Sequence, residues 1–468
     1  MRPYITLCLI ALFLGIPLLG QAAEQPNIIF IMVDDLGPEW ISCYGAEDIN
    51  TPSIDALADT GMKFDVAYSM PKCTPTRATL LTGQYPFRHG WMNHWDVPRW
   101  GHGMNFDAKH NTSFARLLKD GGYKTAIAGK WQINDFRVEP NVLKDHGFDA
   151  WCMWTGYETG NAPSAKRYWD AYIHTNEGSE IRKDAFGPEV YTDFIIDFMK
   201  ENKDEPMLIY YPMVLTHSPL VNTPLEPKAM TNQARFKSMV EYTDHNVGRI
   251  VTALDELEIR EDTILIFTTD NGTSPGIKGT LNGREVKGGK GLLSERGCRV
   301  PFIVNGPGQV PAGVTSPCLT DFTDMLPTFC ELAGVELPED LELDGHSIAP
   351  VIRGERKLGK RDWIMAMGGD VARLDEEGRV VPALPYAPRT VRDQRYKLIV
   401  DENAIPTALY QLVVDPGEEN NLLQSKDKND KEALKRLTRI VAEFPEQDAL
   451  PRYDRNPAQE WDTDPVKK

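Results

Sequence analysis

Apolar positions in this chain fall in short continuous runs more often than in strict alternation. Asn27–Val33 (NIIFIMV), Lys124–Gly129, Met207–Met213 and Thr263–Thr269 are runs of six or seven residues, several of them rich in β-branched side chains. Runs of that length, apolar on both faces, read as strands buried on both sides of a sheet. Between them lie segments with helical spacing. Thr51–Gly61 places Thr51 as N-cap, Pro52 at the first position and Gly61 at the exit. Ser113–Asp120, Phe236–Leu257 and Thr320–Leu332 have the same periodicity. Strands alternating with helices predict an α/β fold, a mostly parallel central sheet with helices on both faces. In such sheets the site lies beyond the carboxyl ends of the strands. Two runs end in polar residues there, one in Asp34-Asp35 and the other in Asp270-Asn271-Gly272.

From about Leu358 the texture changes. Trp363–Met367, Arg389–Arg392, Tyr396–Val400 and Leu409–Val413 are short strand-like runs close together, Asp415-Pro416-Gly417 is a turn, and Asp430–Phe444 is a charged helix. A smaller C-terminal antiparallel sheet with one helix is expected over 358–468, after a main α/β domain over 24–357. The start of the chain reads differently again. Arg2, the apolar run Leu7–Leu19 and the small-residue exit Gly20-Gln21-Ala22-Ala23 have the form of a cleavable export signal over 1–23. The run is too short to span a bilayer, and no later stretch qualifies. The mature chain is therefore expected in the periplasm or secreted, with no membrane span.

Charge narrows the partners. With 51 basic and 68 acidic side chains, the net charge of -17 disfavours a nucleic-acid or anionic-membrane binder. Any small anionic substrate must find positive charge gathered locally. Six cysteines follow the leader, without C-x-x-C spacing. Export permits disulfides, but their pairing does not follow from sequence. Cys318 and Cys330 flank a helix and are expected to be buried.

The sharpest segment is Cys73-Thr74-Pro75-Thr76-Arg77, leading through Leu81-Thr82-Gly83. It places Cys73 at the mouth of a helix, where free N–H groups favour anions, and Arg77 one turn on, where its planar fork suits an oxyanion. Asp34, Asp35, Asp270 and Asn271 offer oxygen ligands suited to a hard cation such as calcium. No histidine cluster joins them, which disfavours zinc. Asp244-His245 has the look of a metal pair but lies in an amphipathic helix and is expected on its surface.

Cys73-x-Pro75-x-Arg77 followed by Leu-Thr-Gly resembles the signature of the formylglycine-dependent sulfatases. Gly129-Lys130-Trp131, His217-Ser218-Pro219, Asp270-Asn271-Gly272, Gly289-Lys290-Gly291 and the closing Leu409-Tyr410-Gln411-Leu412 with Asp415-Pro416-Gly417-Glu418 match in the family's order. The resemblance implies that a separate maturation enzyme oxidises Cys73 to Cα-formylglycine (3-oxoalanine). It implies one Ca2+ held by Asp34, Asp35, Asp270, Asn271 and residue 73. Arg77, Lys130 and Lys290 would hold the sulfate oxygens, and His217, with Lys290, would help the alcohol leave. Lys278, Arg284, Lys287 and Lys290 would form a positive glycine-rich loop.

Two departures stand out. Gln132 follows Trp131 where the family has His, the base that frees the sulfate, and Gln cannot act as a base near neutral pH. Thr76 stands where the family has Ser or Ala. The expected activity is sulfate monoester hydrolysis, with a sulfated carbohydrate as the leading substrate. A phosphonate or phosphate ester hydrolase on the same site, or a catalytically impaired sulfoglycan-binding protein, are the alternatives. Two aromatic clusters, Tyr85, Phe87, Trp91, Trp95, Trp100 and Phe106 with His89, His94 and His102, and Trp151, Trp154, Tyr157, Arg167, Tyr168 and Trp169, either pack loops onto the core or present rings to a sugar.

Overall fold

A computed structural model describes residues 25–92, 103–155, 166–368 and 372–461. The leader, Trp95, Trp100, His94, His102 and Tyr157 lie outside the described residues. Ten strands form the main sheet: β1 Asn27–Val33, β2 Met62–Phe64, β3 Lys124–Gly129, β4 Ala150–Trp154, β5 Tyr172–Thr175, β6 Gly178–Ile181, β7 Met207–Pro212, β8 Thr263–Thr269, β9 Phe302–Asn305 and β10 Val314–Ser316. Their order is β10-β2-β9-β8-β1-β7-β3-β4-β5-β6. The five strands from β8 to β4 pair in parallel, while β9 joins β8, and β5 joins β4, in antiparallel fashion.

Both faces are covered. The helices used below are α1 Pro52–Asp59, α2 Cys73–Thr82, α3 Phe114–Asp120, α4 Gly187–Asn202, α5 Asn232–Glu256, α6 Met325–Ala333 and α7 Lys428–Val441. Strand β1 shows why continuous apolar runs were needed. Ile28, Phe30 and Met32 enter a core shared with Leu80, Phe114 and Phe329 of α2, α3 and α6. Ile29, Ile31 and Val33 enter the opposite core with Leu57, Ile195 and Val247 of α1, α4 and α5. Each such fully buried side chain contributes roughly 1.5–3 kcal/mol.

The C-terminal segment forms a four-stranded antiparallel sheet, β11 Ile364–Met367, β12 Arg389–Arg392, β13 Tyr396–Val400 and β14 Pro406–Gln411, in that order. Apolar side chains of α7, including Ala433 and Leu437, share a core with it. No helix among the described residues is long and apolar enough to cross a membrane.

Some boundaries differ from the sequence reading. The last strand ends at Gln411, and Val413 and Val414 are exposed. Thr320–Leu332 is not one helix. Thr320–Asp321 is extended, and Phe322–Asp324 makes a tight turn before α6. Asp321 and Asp324 form a reciprocal capping box across that turn, which sets the helix start later than periodicity alone does. Helix α4 and the Tyr172–Ile181 hairpin were not anticipated. Cys318 and Cys330 are buried, and every described cysteine is a free thiol.

Candidate functional site

The site lies at the carboxyl edge of the central strands. β1 and β8 are neighbours in parallel register, with Val33 opposite Thr269, so Asp34-Asp35 and Asp270-Asn271 leave the sheet side by side. Asp35 has φ +64°, a left-handed conformation that Asp tolerates, and its N–H donates to Asp270 Oδ1 at 3.1 Å. Two strands away, β3 ends at Gly129, whose φ is +111° and where a Cβ would overlap the Pro212 carbonyl oxygen. That turn delivers Lys130.

Helix α2 points its first residue at these carboxylates. Cys73 Sγ is 3.5 Å from Asp34 Oδ1 and 3.9 Å from Asp35 Oδ1. Ligand atoms of Asp34, Asp35, Cys73 and Asp270 all lie within 4.8 Å of one another, and all four residues are buried. Asn271 donates from Nδ2 to Asp35 Oδ1 at 2.8 Å. Its Oδ1 is buried with no hydrogen-bond partner among the described residues. Three clustered carboxylates and an orphaned amide oxygen form a donor set that fits a hard cation.

Basic side chains surround this cluster in two tiers, three of them cations, while burial lowers the His217 pKa to about 3 and leaves its imidazole neutral. At the floor, Lys130 Nζ is 2.7 Å from Asp34 Oδ2 and Arg77 Nη2 is 2.8 Å from Asp270 Oδ2, with both side chains almost fully buried. Arg77 Nη1 also donates to the Lys130 carbonyl oxygen at 2.7 Å. At the mouth, Lys290 Nζ is 2.6 Å from Asp35 Oδ1 and His217 Nε2 is 3.8 Å from Asp35 Oδ2, with side chains 19% and 20% exposed. The Lys290 loop is pinned twice, by Lys290 N to Thr273 O at 3.0 Å and by Gly291 N to Pro71 O at 2.8 Å. Ser274 Oγ donates to Asp35 Oδ2 at 2.9 Å.

The electrostatics follow from burial and these pairings. Burial alone would raise the Asp34 and Asp35 carboxyls. The fields of Lys130 and His217 on the first, and of Lys290 and His217 on the second, hold both below the usual range. Burial and the neighbouring Asp34 charge push Asp270 up to about 6, despite Arg77. Burial, then the Asp270 carboxylate, pushes the Cys73 thiol up to about 12. As a thiol Cys73 is therefore a poor nucleophile.

A family model described as Sulfatase matches residues 26–335, and a second, N-sulphoglucosamine sulphohydrolase, C-terminal, matches residues 289–446. The chain is 33% identical over 356 residues to N-acetylgalactosamine-6-sulfatase of Canis lupus familiaris, covering 71% of this chain and 67% of that one. The chain belongs to the sulfatase family.

Arylsulfatase A of Bos taurus aligns over 90% of this sulfatase and 89% of its own length at 29% identity. Among solved structures, Ps i-CgsB superposes with a TM-score of 0.75 at 24% identity, covering 92% of this chain and 95% of that one. A protein solved in complex with its substrate D-glucosamine-2-N,6-O-disulfate gives 0.70 at 22%, covering 90% and 97%. These likenesses share the fold.

The structure thus brings Asp34, Asp35, Cys73, Arg77, Lys130, His217, Asp270, Asn271 and Lys290 of the sulfatase together. It corrects other readings. Lys278, Arg284 and Lys287 are not in a loop around the site but on a two-stranded hairpin, with exposed side chains, and Lys278 pairs with Glu285 at 2.5 Å. Asp244 is not helix surface. It is buried in α5, and its carboxylate accepts the Ser53 and Ile54 N–H groups at the start of α1 at 3.2 and 2.8 Å. Tyr85, Phe87, Trp91, Phe106, Trp151, Trp154 and Tyr168 are buried, so most described rings pack loops onto the core, while Trp169 is exposed. Thr76 keeps its hydroxyl 2.7 Å from the Asp270 carbonyl oxygen, tying α2 to the end of β8.

Two contributors were not read as site residues. Arg167 Nη1 lies 3.7 Å from Asp34 Oδ2. Glu295, after the Lys290 loop, anchors that loop to the C-terminal sheet through Arg392 at 2.8 Å and Lys397 at 3.4 Å. Burial opposes the Glu295 charge, but those two cations outweigh it and hold its carboxyl at about 2.

Proposed function

We propose that this sulfatase hydrolyses sulfate monoesters of a sulfated carbohydrate, using one Ca2+ and a Cα-formylglycine made from Cys73. The observation that carries the proposal is the buried carboxylate cluster against Cys73, walled by three cations. Asp34, Asp35, Asp270, the Asn271 amide oxygen and residue 73 would hold the ion. Bound there, the ion supplies positive charge that polarises the sulfo group and favours an ionised oxygen nucleophile at residue 73. A nucleophile other than the thiol fits this position, since burial pushes the unmodified Cys73 thiol up to about 12 and leaves little thiolate.

The remaining roles fall to the chain's own side chains. Arg77 and Lys130, fixed at the floor, stabilise charge on the sulfate oxygens. Lys290 and His217 stand at the mouth, where the alcohol departs. Asp35 keeps the Lys290 amine protonated against burial, so Lys290 stands as a charged hydrogen-bond donor to the leaving oxygen. The His217 Nδ1–H donates to the Ser218 carbonyl oxygen at 2.7 Å, which orients Nε2 toward the pocket.

A carbohydrate substrate is supported by relatives named N-acetylgalactosamine-6-sulfatase and by the glucosamine disulfate in a structural neighbour. Export is supported by the apolar run Leu7–Leu19, and a formylglycine-generating enzyme would be the maturation partner. The 24–357 and 358–468 division is proposed on the self-contained pairing of β11–β14. The test is mass analysis of the Cys73 peptide together with sulfate release from defined saccharides with and without a calcium chelator. An aldehyde at residue 73 and chelator-sensitive release are expected. An unmodified thiol in host-made protein, or faster turnover of matched phosphonate esters, would reject the reading.

A further inference from the structure

Arg167 is only 4% exposed. Its Nε and Nη1 are buried and have no hydrogen-bond partner among the described residues. Asp34 Oδ2 is near, at 3.7 Å, but Lys130 already holds that oxygen at 2.7 Å. Leaving a guanidinium dry with open donors is costly, so its position calls for an acceptor that the described residues do not supply.

The side chain is held firmly in place. Its guanidinium carbon stands 4.1 Å from the Trp154 ring centroid, a cation–π contact that fixes the plane. The next two residues fasten the backbone to the segment carrying His217. Tyr168 donates its hydroxyl to the Val214 carbonyl oxygen at 2.8 Å and also contacts the His217 carbonyl. Trp169 Nε1 donates to Asn222 O at 2.8 Å. Arg167 thus approaches Asp34 through Oδ2, while Cys73 meets the same carboxylate through Oδ1.

We propose that Arg167 is a substrate-binding residue, its guanidinium receiving an oxyanion of the substrate beside Lys130. A planar fork of N–H donors on an aromatic shelf matches sulfate or carboxylate oxygens. The oxyanion is the sulfo group being cleaved, or a second sulfate or carboxylate on the same sugar. The inference rests on the anion-binding reading of the site, but its test does not depend on turnover.

Binding of inorganic sulfate, an aryl monosulfate and a disulfated monosaccharide is measured by calorimetry for wild type and Arg167→Gln, with melting temperature as the folding control. Loss of a charged hydrogen-bond donor weakens binding by about 10- to 100-fold. Weakening of all three ligands assigns Arg167 to the cleaved group, and weakening of the disulfated sugar alone assigns it to a second anion. Unchanged binding of all three by a folded variant overturns the proposal. Should the variant not fold, a structure of wild type with the disulfated sugar decides. A guanidinium within hydrogen-bond distance of a ligand oxyanion supports the proposal, and one without such a contact overturns it. Wild type that binds sulfate through Arg167 yet hydrolyses no sulfate ester would count against the proposed function alone.

Discussion

Lys130 and Asp34 form a buried ion pair at the floor of the site, 2.7 Å from ammonium to carboxylate, with side chains 1% and 0% exposed. The same lysine offers its carbonyl oxygen to Arg77, so one residue links both floor cations to the carboxylate cluster. Removing the amine leaves the longer Arg167 contact as the remaining ion pair of Asp34 among the described residues. Lys130→Ala should lower kcat/KM by about 10²- to 10³-fold, the usual loss for one transition-state donor, and should lower the melting temperature. Lys130→Arg should recover the stability but not the rate, because the charge returns in a different position. Steady-state kinetics and thermal melts on the two variants check this. Full activity in Lys130→Arg would show that charge alone matters.

Gln132 sits one residue beyond Trp131 with φ +69°, a left-handed turn out of the Lys130 segment. An amide cannot take up a proton near neutral pH. If that makes release of sulfate the slow step, the alcohol product should appear in a burst before steady turnover. Gln132→His should then raise kcat and shrink the burst. Absence of a burst in wild type, together with an unchanged kcat in the variant, rejects the idea.

The parts of this site visible in sequence are those whose position is set locally. Asp34 and Asp270 were legible because each ends an uninterrupted apolar run, and strand exits in parallel sheets face the ligand. Cys73 was legible because a helix start marks it. Arg167 was read with the aromatic residues around it, since its approach to Asp34 depends on Tyr168 reaching the Val214 carbonyl. No local pattern announces that contact. Asp244 was placed on a helix surface for the same reason. Its partners belong to α1, nearly two hundred residues earlier in the chain. The Lys278–Lys287 hairpin read as a loop because Gly279 and Gly283 interrupt its strand pattern, although Gly279 is where the backbone passes close to Glu39 and Trp40.

Asp244 gives a stability prediction separable from catalysis. Its carboxylate does for α1 what an N-cap residue does, since Thr51 makes no side-chain cap there. Asp244→Ala should cost about 1 kcal/mol and lower the melting temperature by about 1 °C, leaving kcat/KM unchanged. Asp244→Asn, which keeps an acceptor oxygen, should lose less. Equal melting temperatures for Asp244→Ala and wild type would show that the two N–H groups find other acceptors without cost.

Acid should destabilise the protein through buried histidines. His146 stacks on Phe106 with ring centroids 5.2 Å apart, lies 5.3 Å from Trp131, and donates from Nε2 to the Phe106 carbonyl oxygen at 2.6 Å. Burial depresses its pKa from 6.5 to about 4, although the carbonyl partner pulls the other way. The unfolded chain therefore takes up a proton below pH 6.5 that the folded chain refuses until about pH 4. Stability present above pH 6.5 is lost as pH falls across that window, by about 3 kcal/mol for this group. His89, buried and depressed to about 3, adds a loss of the same sign. His146→Gln removes one titrating group, so its destabilisation relative to wild type should be large near neutral pH and shrink on acidification. Melting temperatures of both proteins across the window measure this. A gap that stays constant with pH would mean that His146 does not drive the acid sensitivity.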